Sequence, residues 1–388
     1  MCDKSGRWDE NTEARIGVAL METYEFAVVG GGPAGMSGAI EAAKAGVQKI
    51  AIFDENPTLG GQLVKQTHKF FGGREHRAGK RGIDIASAMA KECHGLGIDV
   101  MKDTVVWGIF KGNTVALYNE GKAQRLTAKA ILLATGASEN NIACPGWTLP
   151  GVLGAGGIQT MMNVHRVLPG NRILMVGSGN VGLIVSYQLL QAGAKVVAVI
   201  DILPRIGGYG VHASKITRLS VPILTSHSLK EIIGKDRVEA AVIIKVDSKN
   251  KPIPGTEQRF DVDTVCLSVG LSPLAELAWM CGCKFLYVPE LGGWMPCRSE
   301  KMETSVPGIY VAGDGGGIEE ASTAMMTGAI AGIAVAESLG YLTKERSEEL
   351  RKEKTKGLDP FRCKDFGFRR VANEKLIENI IGSKGVRE

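Results

Sequence analysis

Apolar residues in this chain come in short unbroken runs, each closed by glycine. "EFAVV" (25–29) runs into Gly30, and "RILMV" (172–176) runs into Gly177. A run with no polar interruption is the pattern of a strand buried on both faces, as in a parallel sheet. After each run come about ten residues compatible with a helix, then a glycine stop at Gly46 or Gly193. A second apolar run follows, "KIAIF" or "KVVAVI", and it ends in an acid, Asp54 or Asp201. In both segments the stop lies 16 positions, and the acid 24 positions, after the first glycine. A further run, "GIYVA" (308–312), ends at Asp314 among glycines. A carboxylate at the end of a buried strand needs something to hold. The pattern predicts an α/β fold made of strand–helix–strand units, with one unit repeated.

The glycines between strand and helix have a specific spacing. Gly30, Gly32 and Gly35 form G-x-G-x-x-G, and so do Gly177, Gly179 and Gly182. One such match is weak, but the same strand, turn, helix, stop, strand and acid occurring twice is strong. The first glycine makes the tight turn, the second lets backbone approach a pyrophosphate, and the third lets the helix lie close on the strand. The helix N-terminus offers free N–H groups to the phosphates, and the terminal acid accepts from a ribose diol. A carboxylate there repels a 2′-phosphate, so Asp201 favours NAD over NADP, although Arg205 lies close enough in sequence to meet a phosphate. The competing reading of either repeat is a unit that has kept its shape and lost its ligand.

Composition narrows the class. At 388 residues, 44% hydrophobic and 22% charged, the chain has room for two or three domains. Its 51 glycines cluster at turns and show no low-complexity period. The net charge is +5, and residues 344–388 carry 13 Lys/Arg and 9 Asp/Glu, which leaves the body almost neutral. No concentrated basic face is expected, and no nucleic-acid partner. The mixed-sign tail reads as a solvated helical tail or as a docking segment for an acidic partner. The eight cysteines are scattered with no C-x-x-C, and residues 1–23 have no apolar signal core. No run reaches the length of a membrane span. These features place the protein in a reducing cytoplasm, with residues 1–23 as an N-terminal extension. Cys281, Cys283, Cys297 and Cys363 read as buried thiols, because C-x-C is tight for structural zinc, and no metal is expected.

The motifs, taken in order, carry a resemblance. "VVGGGPAGMSGA", "GGQ" (60–62), "LLATGA" (132–137), "VGSGNVG", "LSVGLSP" (267–273) and "VAGDGGG" follow one another as in the two-dinucleotide-binding-domain flavoproteins. The chain resembles that family over about residues 24–340. The resemblance implies a Rossmann-like FAD-binding domain with a Rossmann-like NAD(P)-binding domain inserted into it. The expected boundaries are 24–146 and 300–340 for the first, 147–299 for the second, and 341–388 for a charged tail. It also implies FAD and NAD(P)H as cofactors. Gly30, Gly32, Pro33 and Ala34 would meet the FAD pyrophosphate, Asp54 the adenosine ribose, and Val106 the adenine through its backbone. Gly61 and Gln62 would run beside the flavin. Thr135 and Gly136 would form the crossing turn, and Asp314 would accept from a ribityl hydroxyl. Gly177, Gly179, Asn180, Val181 and Asp201 would hold NAD(P)H, closed by Gly270. A narrower resemblance, in "PGWTLPGVLGAGG" (145–157) and "LGGWMPCRSEKMETSVPGIYVAGD" (291–314), is to subunits of opine oxidases, hydrogen cyanide synthases and dye-linked proline dehydrogenases. Some of those proteins continue into a cysteine-rich iron–sulfur module, whereas this tail holds only Cys363.

The function expected from this is hydride transfer between NAD(P)H and flavin, in one member of an amino-acid or amine dehydrogenase complex. Its partners would be a small-molecule substrate and a second flavin or iron–sulfur subunit, in an oligomer. Hydride transfer between stacked rings needs orientation and no protein acid or base. Gln62, Lys65 and His68, just after the GGQ turn, are the candidate catalytic side chains. The alternatives are a stand-alone reductase of a small electron-carrier protein and a non-catalytic subunit that binds an adenine nucleotide. The missing C-x-x-C argues against thiol–disulfide reduction.

Overall fold

The computed structural model describes residues 20–362 and 367–381. Most of the expected N-terminal extension, Cys2, Cys363 and the end of the tail lie outside the described residues. The chain divides into two compact units. Of the described residues, the first comprises 20–64, 69–137, 272–362 and 367–381; the second comprises 65–68 and 138–271.

In the first unit the strand Leu20–Val29 lies between Ile50–Phe53 and Lys122–Leu133, parallel to both. Asp99–Met101 extends the sheet beyond Ile50–Phe53, and Ile309–Val311 pairs with the end of Lys122–Leu133, all parallel. The first half of Lys122–Leu133 also pairs antiparallel with Thr114–Asn119, which pairs with Val105–Phe110. In the second unit Arg172–Val176 lies between Lys195–Ile200 and Thr264–Leu267, with Ile223–Leu224 and Val152–Gly154 at the edges, all parallel. Counted from the strand that runs into each glycine turn, both parallel sheets place the third, second, first and fourth strands side by side, with Val152–Gly154 an added edge strand in the second. A separate antiparallel sheet joins His227–Ile233, Ala240–Lys245 and Gln258–Asp261. Among the described residues no helix is long and apolar enough to cross a membrane.

The helices of the two repeats are α1 (Pro33–Lys44) and α2 (Asn180–Gln191). The helix after the Asp314 turn is α3 (Ala321–Ser338), and it is buried along nearly its whole length. A Cβ added at Gly328 would lie 2.0 Å from the Ala34 carbonyl oxygen, and one at Gly332 would lie 2.1 Å from that of Gly38. Only glycine lets α1 and α3 approach this closely, as the small-residue spacing of Ala324, Gly328 and Gly332 suggests.

Two expectations change. Residues 272–299 belong to the first unit, because Ala278 and Cys283 are buried in one cluster with Leu117, Leu133 and Val311. Among the described residues the charged tail is helical and only partly solvated: most of residues 344–356 are exposed, whereas part of 367–381 packs. Its helices α4 (Lys344–Lys356) and α5 (Gly367–Ile381) flank the short turn Asp359–Arg362. Ala372 and Leu376 are buried against Val288, Leu291 and Met295. Within residues 65–83, buried His76 accepts from the Gly73 amide, contacts the Gly357 carbonyl at 3.0 Å, and stacks edge-on to Phe361.

Candidate dinucleotide sites

The first turn shows why its glycines differ from one another. Gly30 has φ +101°, and a Cβ there would sit 2.3 Å from the Ala134 carbonyl oxygen. At Gly35 a Cβ would fall 1.8 Å from the Gly30 oxygen. The chain itself demands those two glycines. Gly32 is different. Its φ of −75° suits any residue, and an added Cβ would meet only the Gly61 Cα, at 3.9 Å. Nothing in the fold requires glycine there; a ligand against the backbone would. Pro33 begins α1, where a missing N–H costs nothing.

Asp54 holds this turn from behind. Its Oδ2 accepts from the Gly31 amide at 2.7 Å, and its Oδ1 accepts from the backbone and side chain of Asn56. The Gly60 amide donates to the Gly31 carbonyl at 2.8 Å, which brings Gly61 against Gly32. Val106 pairs with Leu117 two residues beyond Thr104, whose amide donates to the Asp54 carbonyl. Thr135 donates to the Leu274 carbonyl, and the Leu274 amide donates to Gly136. A Cβ at Gly315 would lie 3.0 Å from the Thr135 hydroxyl, so the crossing turn and the Asp314 turn touch.

Asp314 is the least satisfied of the expected acids. Among the described residues its carboxylate accepts one hydrogen bond, from the Glu319 amide at 3.5 Å, which is long. Burial pushes its carboxyl up to about 7; the Glu319 amide opposes this, and the Glu320 and Glu319 charges add to it. A hydroxyl donated by a ligand would supply what this carboxylate lacks. Open space at Gly32 and an under-satisfied acceptor at Asp314 both fit FAD.

The second turn repeats the first, atom for atom in part. Gly177 has φ +109°, and its Cβ would lie 2.0 Å from the Ser268 carbonyl oxygen; a Cβ at Gly182 would lie 2.1 Å from the Gly177 oxygen. Gly179 has nothing within 4 Å of its Cβ position. Asp201 Oδ2 accepts from the Ser178 amide at 2.7 Å, and its Oδ1 accepts from the Leu203 amide at 2.9 Å. The Asn140 amide donates to the Gly270 carbonyl. Val181, in the first turn of α2, is exposed. The open second glycine again fits a pyrophosphate.

The duplication runs further than the expected motifs. "DENPTLGGQ" (54–62) and "DILPRIGGY" (201–209) match at the acid, the proline and both glycines. The returning loops bond back to the turns one residue out of step: Gly208, aligned with Gly61, donates to the Ser178 carbonyl at 2.8 Å, whereas Gly60 donates to that of Gly31. Tyr209 aligns with Gln62 in the sequence, a correspondence missed by the glycine spacing alone.

The candidate catalytic residues are divided between the units. Gln62 is exposed on a 3₁₀ turn in the first unit. Lys65 and His68 belong to the second. The Lys65 ammonium donates to the Gly156 carbonyl at 3.1 Å and to Thr160, and burial lowers its pKa. His68 lies edge-on to His212 at 6.4 Å, and burial, with help from His212 and Lys215, pushes it down to about 4. Lys65 and His68 thus engage different neighbours. Among the described residues no cluster of His, Cys, Asp and Glu suits a metal ion.

The pyridine nucleotide-disulphide oxidoreductase family model matches residues 24–328. The chain belongs to that family. It is an FAD- and NAD(P)-dependent oxidoreductase. An opine oxidase subunit of Agrobacterium tumefaciens (strain Ach5) is 28% identical over 361 residues, covering 86% of this chain and 70% of the relative. Hydrogen cyanide synthase subunit HcnB of Pseudomonas protegens is 26% identical, covering 84% and 72%. Among solved structures, L-proline dehydrogenase from P. horikoshii superposes with a TM-score of 0.64 at 21% identity, covering 86% of this chain and 60% of that chain.

Proposed function

We propose that the first unit is the FAD-binding domain and the second the NAD(P)-binding domain, and that hydride passes between nicotinamide and flavin. The observation that carries this reading is the duplicated turn whose second glycine, Gly32 or Gly179, faces space that the chain leaves open. Gly30, Gly32, Pro33 and Ala34 would face the FAD pyrophosphate, and Gly61 and Gln62 would run beside the flavin. Asp54 stiffens the turn from behind, and Asp314 takes a hydroxyl of the ribityl chain. Gly177, Gly179, Asn180 and Val181 would face the NAD(P)H phosphates, with Asp201 behind the turn and Gly270 closing it. Asp201 favours NAD, because a buried carboxylate repels a 2′-phosphate. When bound, the flavin supplies two-electron chemistry. The chain orients the cofactors and needs no proton donor for it, in keeping with the division of Gln62, Lys65 and His68 between the units.

The two relatives are named as subunits, of opine oxidase and of hydrogen cyanide synthase. On that basis we infer that this chain serves as one member of a complex that oxidises an amino acid or amine. The purified native protein should absorb as a flavoprotein, bleach on anaerobic titration with NADH, and bring down a stoichiometric second subunit. A yellow single chain that reduces an electron-carrier protein unaided would overturn the complex. A colourless protein holding only an adenine nucleotide would overturn the whole reading.

A further inference from the structure

The family match ends at residue 328, yet the chain beyond it returns to the Asp314 turn. Glu319 and Glu320 lie just before α3. Arg362 forks onto Glu319, Nε to Oε1 at 3.0 Å and Nη2 to Oε2 at 2.7 Å. Arg369 reaches Glu320 at 3.5 Å. Asn373, on α5, approaches Glu319 with its amide nitrogen and accepts from Arg298 with its oxygen. Arg298 is 3% exposed, and its remaining bond goes to the Gly316 carbonyl. Among the described residues no carboxylate lies within ion-pair distance of Arg298. Burial, and secondarily the Arg362 charge, lowers its pKa to about 10. With Gly313, Gly317, Thr323 and Thr327 it lines a small cavity beside the Asp314 turn.

A buried guanidinium bonded only to neutral acceptors is costly to keep, and so is a carboxylate as enclosed as Glu319 without its arginine. A loose surface tail would not make a bidentate contact with a side chain that is 5% exposed.

We propose that the C-terminal helices are a working part of the first dinucleotide site, and that Arg362, Arg369 and Asn373 are positioning residues for its ring end. Arg362 and Arg369 neutralise Glu319 and Glu320. Asn373 seats Arg298 behind the turn. The entrance to α3, which the two glutamates alone would make more negative, is thereby left with the helix's positive end and the Arg298 guanidinium beside it. Such an environment favours an anionic ligand edge, and hence the reduced over the oxidised form of a flavin placed there. The inference rests on the reading that the first unit holds FAD with its ribityl chain at Asp314, and it adds that the ring end lies toward α3. It goes beyond that reading by making a segment outside the family match a determinant of the cofactor's potential.

The test uses the full chain reconstituted with FAD. Arg362→Gln, Arg369→Gln, the double variant and Arg362→Lys are compared by spectroelectrochemistry, by FAD binding and by thermal unfolding. The double variant should lower the reduced-to-oxidised ratio at a fixed poise about tenfold, a shift of about 30 mV for a two-electron couple. Arg362→Lys should keep the wild-type potential. If the double variant does not fold, Arg369→Gln alone should shift the ratio a few-fold in the same direction. Variants that lose thermal stability but keep the wild-type potential overturn the inference and leave FAD binding standing. A wild-type chain that takes up no FAD overturns both.

Discussion

The two glycine turns share a backbone and differ in how far each satisfies itself. At the first, residue 31 is a glycine with no side chain to lend, and helix α1 begins with Pro33. At the second, Ser178 donates its hydroxyl to Asp201 at 2.6 Å and accepts from the Gly207 amide, while Asn180 accepts from Tyr209. Among the described residues the first unit leaves the Asp314 carboxylate with one long hydrogen bond. In the second unit Glu139 accepts from the Gly156 amide at 2.6 Å. A site that depends on its ligand to satisfy a buried acid suits a resident cofactor. A site already closed by its own side chains suits a visiting one.

That contrast should vanish at the glycines the chain itself demands. Gly35→Ala and Gly182→Ala each drive a Cβ to within about 2 Å of a backbone oxygen. Each should cost about 3 kcal/mol or more, seen as lost soluble yield or a lowered urea midpoint. Near-wild-type stability in either variant would mean that helix and strand are not in contact as described.

The contrast should reappear, with ligand, at the middle glycines. Gly32→Ala and Gly179→Ala add a methyl to open space at an ordinary φ, so the unliganded chain should lose less than about 0.5 kcal/mol. FAD affinity should fall about 10- to 100-fold in the first variant alone. In the second, FAD content should be unchanged while the NADH needed for half-reduction rises. Unaltered binding in both would remove the case for pyrophosphate at either turn.

Much of this was legible in the sequence, because local sterics write themselves locally. The G-x-G-x-x-G turns, the helix stops at Gly46 and Gly193 and the small-residue face of α3 each depend on residues close in sequence. The roles of Asp54 and Asp201 were only half legible. A ribose contact could be inferred from position, but their bonds to the Gly31 and Ser178 amides arise only when two strands lie side by side. The packed face of the tail was not legible, because mixed charge looks the same whether it faces water or a buried partner. Arg362 finds Glu319 across 43 residues, a pairing that no periodicity announces. Lys65 and His68 follow the GGQ turn in sequence, yet they pack with a different unit.

The Asp314 half of the comparison can be sharpened with pH. Its carboxyl titrates near 7 in the flavin-free fold, above the 3.8 of an unperturbed aspartate. The native chain then binds more protons than the unfolded one between about pH 4 and 7, so this group's contribution to stability falls as pH rises through that window and is level above it. The loss should be on the order of 1–2 kcal/mol once partial exposure is allowed for. Asp314→Asn should flatten that slope, as should saturating FAD, because a donated hydroxyl stabilises the carboxylate. A slope equal in wild type and variant would show that Asp314 is already satisfied without a ligand.

The smallest effect belongs to the second turn's own closure. Ser178→Gly gives it the residue found at position 31, and so makes the two turns alike. The Asp201 carboxylate keeps the backbone amide but loses the hydroxyl, and the Gly207 amide loses its acceptor. One buried hydrogen bond removed and one donor left short should cost about 1–2 kcal/mol. The cost should fall on the second unit, with faster hydrogen exchange at Gly207 and its neighbours and no change in FAD content. If Gly207 stays protected, the returning loop is held by the Gly208 and Tyr209 bonds alone. The difference between the turns would then lie in Asn180, which Pro33 cannot imitate, rather than in the serine.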